Sequence, residues 1–343
     1  MVKFGLVGTG SIADFHARAI SLVEGAQLVA AHSRMRENGE KFARENGCDF
    51  EPDLQALLAR SDIDAVAITT PSGTHAEIGI GAARAGKHIL CEKPIDVTVE
   101  KIDALIAVCR ENHVELGAIF QSRFGAGAQA AKRAVEEGRL GQLTYCSAQV
   151  SWWRAAEYYA QSSWRGTRAL DGGGALMNQG IHAVDLLLWL AGAVVEVSAR
   201  CQTILRDIET EDNAVAWLRF AHGGLGAIGG STVCYPGEAK RIELKGSRGS
   251  VTLVDDVPTL WQFDEERAED ENIRALAQQS RIGGGASDPR AIGVEGHRAQ
   301  YEDFVAAIRE KRRPAISGEE GRHAVALIRA IYQSSEENRI VRL

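Results

Sequence analysis

Three short stretches of the chain carry residue types that could do chemistry. The first is Gly8-Thr9-Gly10-Ser11-Ile12-Ala13, a G-x-G-x-x-A pattern between an apolar run and a helical pattern. Gly8 permits a tight turn, Gly10 removes a side chain where a diphosphate must approach, and Ala13 lets helix and strand pack closely. The helix N-terminus then offers free N–H groups to phosphate. In this context the pattern reads as a dinucleotide site rather than a mere tight turn. The second stretch is Glu92-Lys93-Pro94, directly after another apolar run. A lysine at a strand end beside a cofactor can act as acid or base once burial or a nearby cation lowers its pKa; alone, the tripeptide would be a solvated turn. The third runs from Asp171 through Gly172, Gly173 and Gly174 to Asp185. On its helical part Asn178, His182, Asp185 and Trp189 are spaced four, three and four residues apart, so they share a face. Polar groups in one stripe of an apolar helix need partners. A lone histidine there would be a satisfied core residue; the array with Asn178 favours a functional face.

These groups need a frame, and the pattern around them supplies one. Apolar runs at 2–7, 27–32, 64–69, 88–91 and 114–119 read as buried strands. Helical patterns at 11–22, 36–46, 54–59, 75–85 and 98–111 separate them. Sequential βαβ units imply a parallel sheet with helices on both faces, the doubly wound nucleotide-binding layout of an α/β protein. The second strand ends in His32-Ser33-Arg34, where an NAD-specific site would place an acid for the ribose hydroxyls; no carboxylate occurs before Glu37. A hydroxyl plus a guanidinium suits a 2′-phosphate, which favours NADP over NAD. Alternatively, Arg34 stacks on adenine and either cofactor binds.

After Phe120 the texture changes. Helical patterns at 125–138 and 174–191 and strands at 142–151, 195–204, 213–221, 225–233, 240–246 and 250–254 give a mainly antiparallel sheet and an α+β second half. Residues 264–293 are charged and then glycine-rich, read as a surface helix and a mobile loop; helices at 295–311 and 318–335 finish the chain. The expected domains are 1–121, binding dinucleotide, and 122–343, to which the resemblance given below assigns substrate binding and oligomer formation.

Composition excludes several classes. The 343 residues are 45% hydrophobic and 25% charged, enough for a large core, and 39 basic against 46 acidic residues give a formal charge of −7. Mild acidity argues against a nucleic-acid or anionic-membrane binder. No stretch reaches the length of a membrane span and no secretory signal is visible. Six scattered cysteines without C-x-x-C read as buried free thiols of a cytoplasmic protein. Nine scattered histidines without H-E-x-x-H make a metal site unexpected.

Taken together, these motifs resemble the glucose–fructose oxidoreductase / inositol dehydrogenase / rhizopine catabolism (Gfo/Idh/MocA) oxidoreductases along the whole chain. The resemblance rests on Gly8 to Ala13, Thr70-Pro71 with His75, Glu92-Lys93-Pro94, Gly172 to Asp185, and Gly296-His297 with Asp303-Phe304 and Ala307-Ile308. It implies a Rossmann domain followed by an α/β domain with an open sheet that commonly makes dimers or tetramers. It also implies NAD(P)-dependent oxidation or reduction of sugars, polyols and related small molecules. By position, Lys93 looks like the family's catalytic lysine and His182 like its catalytic histidine. Thr70, Pro71, His75, Glu92, Lys93, Trp164 and Arg165 would join Gly8, Thr9, Gly10, Ser11, Ile12, Ser33 and Arg34 in cofactor binding. Many members carry Asp four residues before the histidine; Asn178 stands here, cannot take a proton, and is cast as a substrate hydrogen-bonding group with Tyr159 and Asp185. Tyr158, Trp152 and Trp153 would line a sugar pocket or simply pack together.

The expected mechanism is reversible hydride transfer between a secondary alcohol and nicotinamide. His182 serves as base because an imidazole titrates near neutral pH, and Lys93 orients the hydroxyl and stabilises developing charge on oxygen; the roles could be exchanged. Two alternatives share the scaffold: a glycosidase that holds NAD for transient oxidation, and a non-catalytic regulator.

Overall fold

The structure is a computed structural model that describes residues 1–279 and 293–343. The chain begins β1 (Val2–Val7), α1 (Ala13–Ser21), β2 (Ala26–His32), α2 (Arg36–Asn46), β3 (Asp49–Glu51), α3 (Leu54–Ala59), β4 (Ala65–Ile68), α4 (His75–Arg84), β5 (His88–Cys91), α5 (Val99–Glu111) and β6 (Leu116–Ala118). It continues α6 (Ala126–Glu136), β7 (Leu143–Ser151), α7 (Ala156–Ala160), a π-helical segment Gly174–Gly180, and α8 (Ile181–Ala191). Then come β8 (Val194–Gln202), β9 (Asn213–Phe220), β10 (Leu225–Ser231), β11 (Arg241–Gly246), β12 (Gly249–Val254) and β13 (Val257–Phe263). The last elements are α9 (Glu269–Gln279), α10 (Glu295–Glu310), α11 (Gly318–Glu337) and β14 (Val341–Arg342).

These elements form two compact units: Met1–Gln121 with Val294–Arg322, and Ser122–Gly293 with His323–Leu343. The split expected from sequence, 1–121 and 122–343, left out the return of the chain to the first unit. The reason is packing. Tyr301, Phe304 and Val305 of α10 bury themselves against Phe4, Ile20, Leu90 and Ile119, so the first unit's core is incomplete without residues from near the C-terminus. Phe4 meets Tyr301 edge-on, with ring centroids 5.3 Å apart.

In the first unit six parallel strands run in the order β3-β2-β1-β4-β5-β6. Strand order reverses beside β1, and ligands of such sheets bind outside the carboxyl ends of the strands at this switch point. β1 and β4 are almost wholly apolar because helices cover both faces of the sheet. β3 escaped the sequence pattern because Asp-Phe-Glu offers no apolar run.

The second unit holds an eight-stranded sheet, β13-β12-β11-β7-β10-β9-β8-β14, antiparallel except between β7 and β10. Its buried face carries Ala214, Ala216, Leu218 and Phe220 of β9, and α8 contributes Leu186, Leu187 and Leu190 to the core. Its other face is exposed and partly apolar: Tyr145, Val215, Trp217 and Leu225 stand in solvent. α9 is the expected surface helix, whereas the glycine-rich stretch after it lies outside the described residues. Among the described residues no helix is long and apolar enough to cross a membrane, and all six cysteines are free thiols.

A buried ion pair ties α9 to the sheet. Asp270 accepts bonds from Arg139 at 2.8 and 2.6 Å, from the Trp261 indole at 2.7 Å and from the Arg267 N–H at 2.7 Å. Hydrogen bonding from Arg139 holds its carboxyl well below the ordinary range. A depressed folded pKa stabilises the fold above the unfolded value of about 3.9 and ceases to do so as pH falls through the folded one. We expect the melting temperature to fall on acidification from about pH 5 to pH 2, and Asp270→Asn, followed by circular dichroism, to lower stability at neutral pH and flatten that acid limb. An unchanged acid limb in the variant would remove this assignment.

Candidate active site

In the first unit the glycine motif forms a bare turn at the end of β1. Gly8 has φ +102°, and a Cβ there would lie 2.9 Å from the backbone of Thr69 and Thr70, so only glycine fits. The turn is tied down by Gly8 N–H to the His32 carbonyl (2.9 Å) and by the Thr69 hydroxyl to the Gly8 carbonyl (2.6 Å). A Cβ on Gly10 would meet nothing within 4 Å, which leaves the approach to the turn open. α1 follows with no side-chain cap, and the buried Thr9 hydroxyl has no partner among the described residues. A glycine turn, an orphaned hydroxyl and an uncapped helix N-terminus fit the diphosphate of a dinucleotide. At the end of β2, Ser33 and Arg34 follow His32; Arg34 is exposed, while its neighbour Arg36 pairs with Glu40 at 2.7 Å.

Two residues assigned to the cofactor have other tasks. His75 is buried, with Nε2 2.7 Å from the Thr70 carbonyl and Nδ1 2.8 Å from the Pro94 carbonyl, so its ring clamps the Thr70-Pro71 loop to the Glu-Lys-Pro loop. Glu92 is also buried. One carboxylate oxygen accepts the Lys93 N–H at 2.9 Å; the other lies 2.9 Å from His16 Nε2 and 3.7 Å from His297 Nε2. Its side chain is therefore committed to the protein rather than to a ligand. Burial alone would raise the Glu92 pKa, but hydrogen bonds from His16 and His297 outweigh it and hold the group well below the ordinary range. Burial lowers the His16 pKa against the pull of Glu92. Lys93 itself is half-buried at the end of β5.

In the second unit the Gly172–Asp185 motif becomes a π-helical turn that runs into α8, rather than one regular α-helix. Single π turns of this kind are frequent at functional sites. The turn is held by Glu211, which accepts Gly174 N–H at 3.0 Å, Leu176 N–H at 2.8 Å and the Tyr332 hydroxyl at 2.8 Å. A Cβ on Gly174 would come within 2.2 Å of the Glu211 carbonyl oxygen, so the glycine permits this close approach. No sequence signal marked Glu211, because its partners come from distant segments.

Of the side chains expected to touch substrate, Asn178 and Tyr159 belong to one connected patch with Gln179 and Tyr158. Asn178 donates to Asp171, which also accepts the Gly166 N–H at 2.8 Å. Gln179 donates to Asn178 and, at 2.9 Å, to the Tyr158 hydroxyl, and accepts from Arg154 at 2.9 Å. The Arg165 guanidinium lies 4.2 Å from the Tyr158 ring centroid and 5.5 Å from that of Trp164. Tyr159 donates to Thr232 at 3.0 Å, and burial pushes its phenol up to about 12, so it keeps its proton at neutral pH. His182 is half-buried one turn beyond Asn178.

Asp185 leaves the expected substrate set. It is 1% exposed, and Arg123 grips both its oxygens at 2.8 and 2.6 Å. The shared face inferred from spacing holds for sequence position, but packing turns Asp185 inward while His182 keeps some exposure.

Comparison with known proteins follows the same division. Residues 2–120 match the family described as "Oxidoreductase family, NAD-binding Rossmann fold", and residues 128–252 match the GFO/IDH/MocA C-terminal domain. The chain is similar to inositol 2-dehydrogenase of Rhizobium meliloti (strain 1021), 31% identical over 98% of each chain. It is similar in structure to the WlbA dehydrogenase from Bordetella pertussis in complex with NADH and UDP-GlcNAcA: TM-score 0.90, 33% identity, covering 100% of this chain and 97% of that one. A more distant relative is 2,7-anhydro-N-acetylneuraminate hydratase of Mediterraneibacter gnavus (strain ATCC 29149), 26% identical over 100% of this chain and 96% of that protein.

Asp185→Asn takes this counter-charge away from the buried Arg123 guanidinium, and breaking such a pair costs about 3–5 kcal/mol. We expect denaturant unfolding to register that loss while the substrate KM of the folded fraction stays unchanged; a large KM rise at wild-type stability would restore Asp185 to the substrate set.

Proposed function

The chain belongs to the GFO/IDH/MocA oxidoreductases, and from that premise we propose how its residues perform hydride transfer at a secondary alcohol of a sugar, polyol or sugar derivative. The observation that carries the reading is the open glycine turn at the switch point of a 3-2-1-4-5-6 parallel sheet. Nicotinamide, when bound, supplies the hydride acceptor or donor; the protein must bind it, orient the alcohol and move one proton.

Gly8, Thr9, Gly10, Ser11 and Ile12 bind the diphosphate, with Thr70 and Pro71 beside them. Ser33 and Arg34 take the adenosine ribose. Both Arg34 and Arg36 are exposed, but Arg36 is paired with Glu40 while Arg34 makes no ion pair among the described residues, and this supports NADP as the preferred cofactor. The second unit supplies His182, Asn178, Tyr159, Trp164 and Arg165. In oxidation His182 accepts the hydroxyl proton, Lys93 orients the hydroxyl and stabilises charge on its oxygen, and Asn178 hydrogen-bonds a neighbouring hydroxyl. Reduction runs the same groups backwards.

Two relatives bear on the substrate, one an inositol dehydrogenase and one bound to UDP-GlcNAcA. Arg206 favours a sugar carrying an acidic group: it lies over the Trp153 ring at 4.6 Å, makes no ion pair among the described residues, and keeps one buried nitrogen without a partner. A second reading is a glycosidase on the same fold that holds NAD for transient oxidation; a hydratase among the relatives favours keeping a reaction without net oxidation in the test.

The test is a nicotinamide-absorbance screen of inositols, neutral sugars, uronic acids and nucleotide sugars with NAD and NADP. We expect net reduction with at least one class and a higher kcat/KM with NADP. Lys93→Met and His182→Ala should each lower kcat by about a hundredfold or more while cofactor binding persists. Full turnover in both variants ends the assignment; product formed without net NAD(P)H selects the transient-oxidation cycle; a preference for NAD removes the role given to Arg34.

A second copy of the chain is the proposed partner for the exposed sheet face of Tyr145, Val215, Trp217 and Leu225, an apolar patch on an otherwise acidic protein. Light scattering should give a dimer or tetramer, and Trp217→Asp a smaller species; a wild-type monomer would reject this.

A further inference from the structure

A buried cluster in the first unit goes beyond the cofactor and alcohol chemistry. His16 comes from α1, Glu92 from the end of β5, and His297 and Tyr301 from α10. All four are buried. Their hydrogen bonds define one donor order. Burial lowers the His16 pKa and raises that of Tyr301 well above the ordinary phenol, so the ring is neutral and the hydroxyl keeps its proton. Tyr301 then donates to His16 Nδ1 at 2.7 Å, and His16 Nε2–H donates to Glu92 at 2.9 Å. The other Glu92 oxygen receives the N–H of Lys93 at 2.9 Å.

We propose that Glu92, held by His16, Tyr301 and His297, is the positioning residue that fixes the backbone of Lys93 and so aims its amine, making the setting of Lys93 depend on the helix that follows the glycine turn. This rests on the reading of Lys93 as a working group. A carboxylate with both oxygens engaged inside a core cannot rotate, and it shares the peptide unit of Lys93. One of its anchors sits on α1, directly beyond the turn offered to the diphosphate, so a shift of that helix moves His16, Glu92 and Lys93 together. The cluster also gathers two imidazoles and a carboxylate within 4.8 Å of one another, a set that could ligate a metal. Both ring nitrogens of His16 are already used in hydrogen bonds, which favours the positioning role. The charged or titratable groups facing Glu92 are His16, His297, Tyr301 and the Cys91 thiol, whose pKa burial and the Glu92 charge push well up, and Lys93 adjoins it in the chain.

The experiment compares wild type with Glu92→Gln, Tyr301→Phe and Lys93→Met. Its readouts are kcat and KM, the pH profile of kcat, cofactor affinity by nicotinamide fluorescence, melting temperature and metal content. We expect Glu92→Gln to lower kcat by about 10- to 100-fold with cofactor affinity within about twofold, as misaimed catalytic groups do. The pH limb that disappears in Lys93→Met should move to lower pH in Glu92→Gln, because the residue adjoining Lys93 in the chain loses its negative charge. Tyr301→Phe, which removes only a hydroxyl, should shift the same quantities in the same direction by less, and it carries the test if Glu92→Gln does not fold. Lys93→Met inactive with wild-type kcat and pH profile in the folded Glu92 or Tyr301 variant overturns the positioning role alone. Full activity in Lys93→Met overturns the catalytic reading beneath it. A stoichiometric metal ion in the wild type, lost in Glu92→Gln, replaces the positioning role with a metal site.

Discussion

A carboxylate shut away from water must be met on every side by donors, and at Glu92 that requirement organises the first unit. Desolvation opposes the ionised form, so the fold brings His16 from one helix, His297 from another and the peptide N–H of Lys93 to the two oxygens. The helix that supplies His297 and Tyr301 belongs to a segment about 200 positions further along the chain. Its return to the first unit serves the hydrophobic core and the buried acid together: Phe304 and Val305 fill space beneath β1, while Tyr301 both packs on Phe4 and donates to His16. Stability and the setting of the Lys93 backbone thus share the same side chains.

The second unit solves a comparable problem with different parts. Its glycine-rich approach to α8 exposes backbone N–H groups that the π-helical turn leaves without helical partners, and Glu211 takes two of them. The glycines let Glu211 come close enough to do so. The widened turn then presents Asn178 and Gln179 to a web of Asp171, Tyr158 and Arg154, while Arg123 draws Asp185 into the interior. Of the polar groups that spacing places on one face, packing assigns one to structure and the others to a partly open surface.

Most of the frame was legible in the sequence. Apolar runs of four to six residues followed by glycine, proline or polar turns marked β1, β2, β4 and β5, because strands buried on both faces must be apolar throughout. Glycine at 8 and 174 marked sites of close approach, because a Cβ there would run into backbone rather than adjustable side chains, while Gly10 leaves open space in front of the turn. β3 and β14 were missed because two or three residues carry no period, and β13 because its run borders a charged stretch. His75 and Glu92 were read as cofactor groups because they lie beside motifs that bind cofactor; adjacency along the chain does not say which way a side chain turns.

The sequence alone determined the class of chemistry: a phosphate-compatible glycine turn, a lysine after a strand and a histidine on an apolar helix are local patterns, and local patterns survive without knowledge of the fold. Only tertiary structure decided which polar residues are taken up by the protein itself. His16 with Glu92, Arg123 with Asp185 and Glu211 with Gly174 are each separated by 37 or more positions. Burial of a charge is compensated by whatever the folded chain brings within hydrogen-bonding distance, and no period or motif in one segment records what another segment will bring.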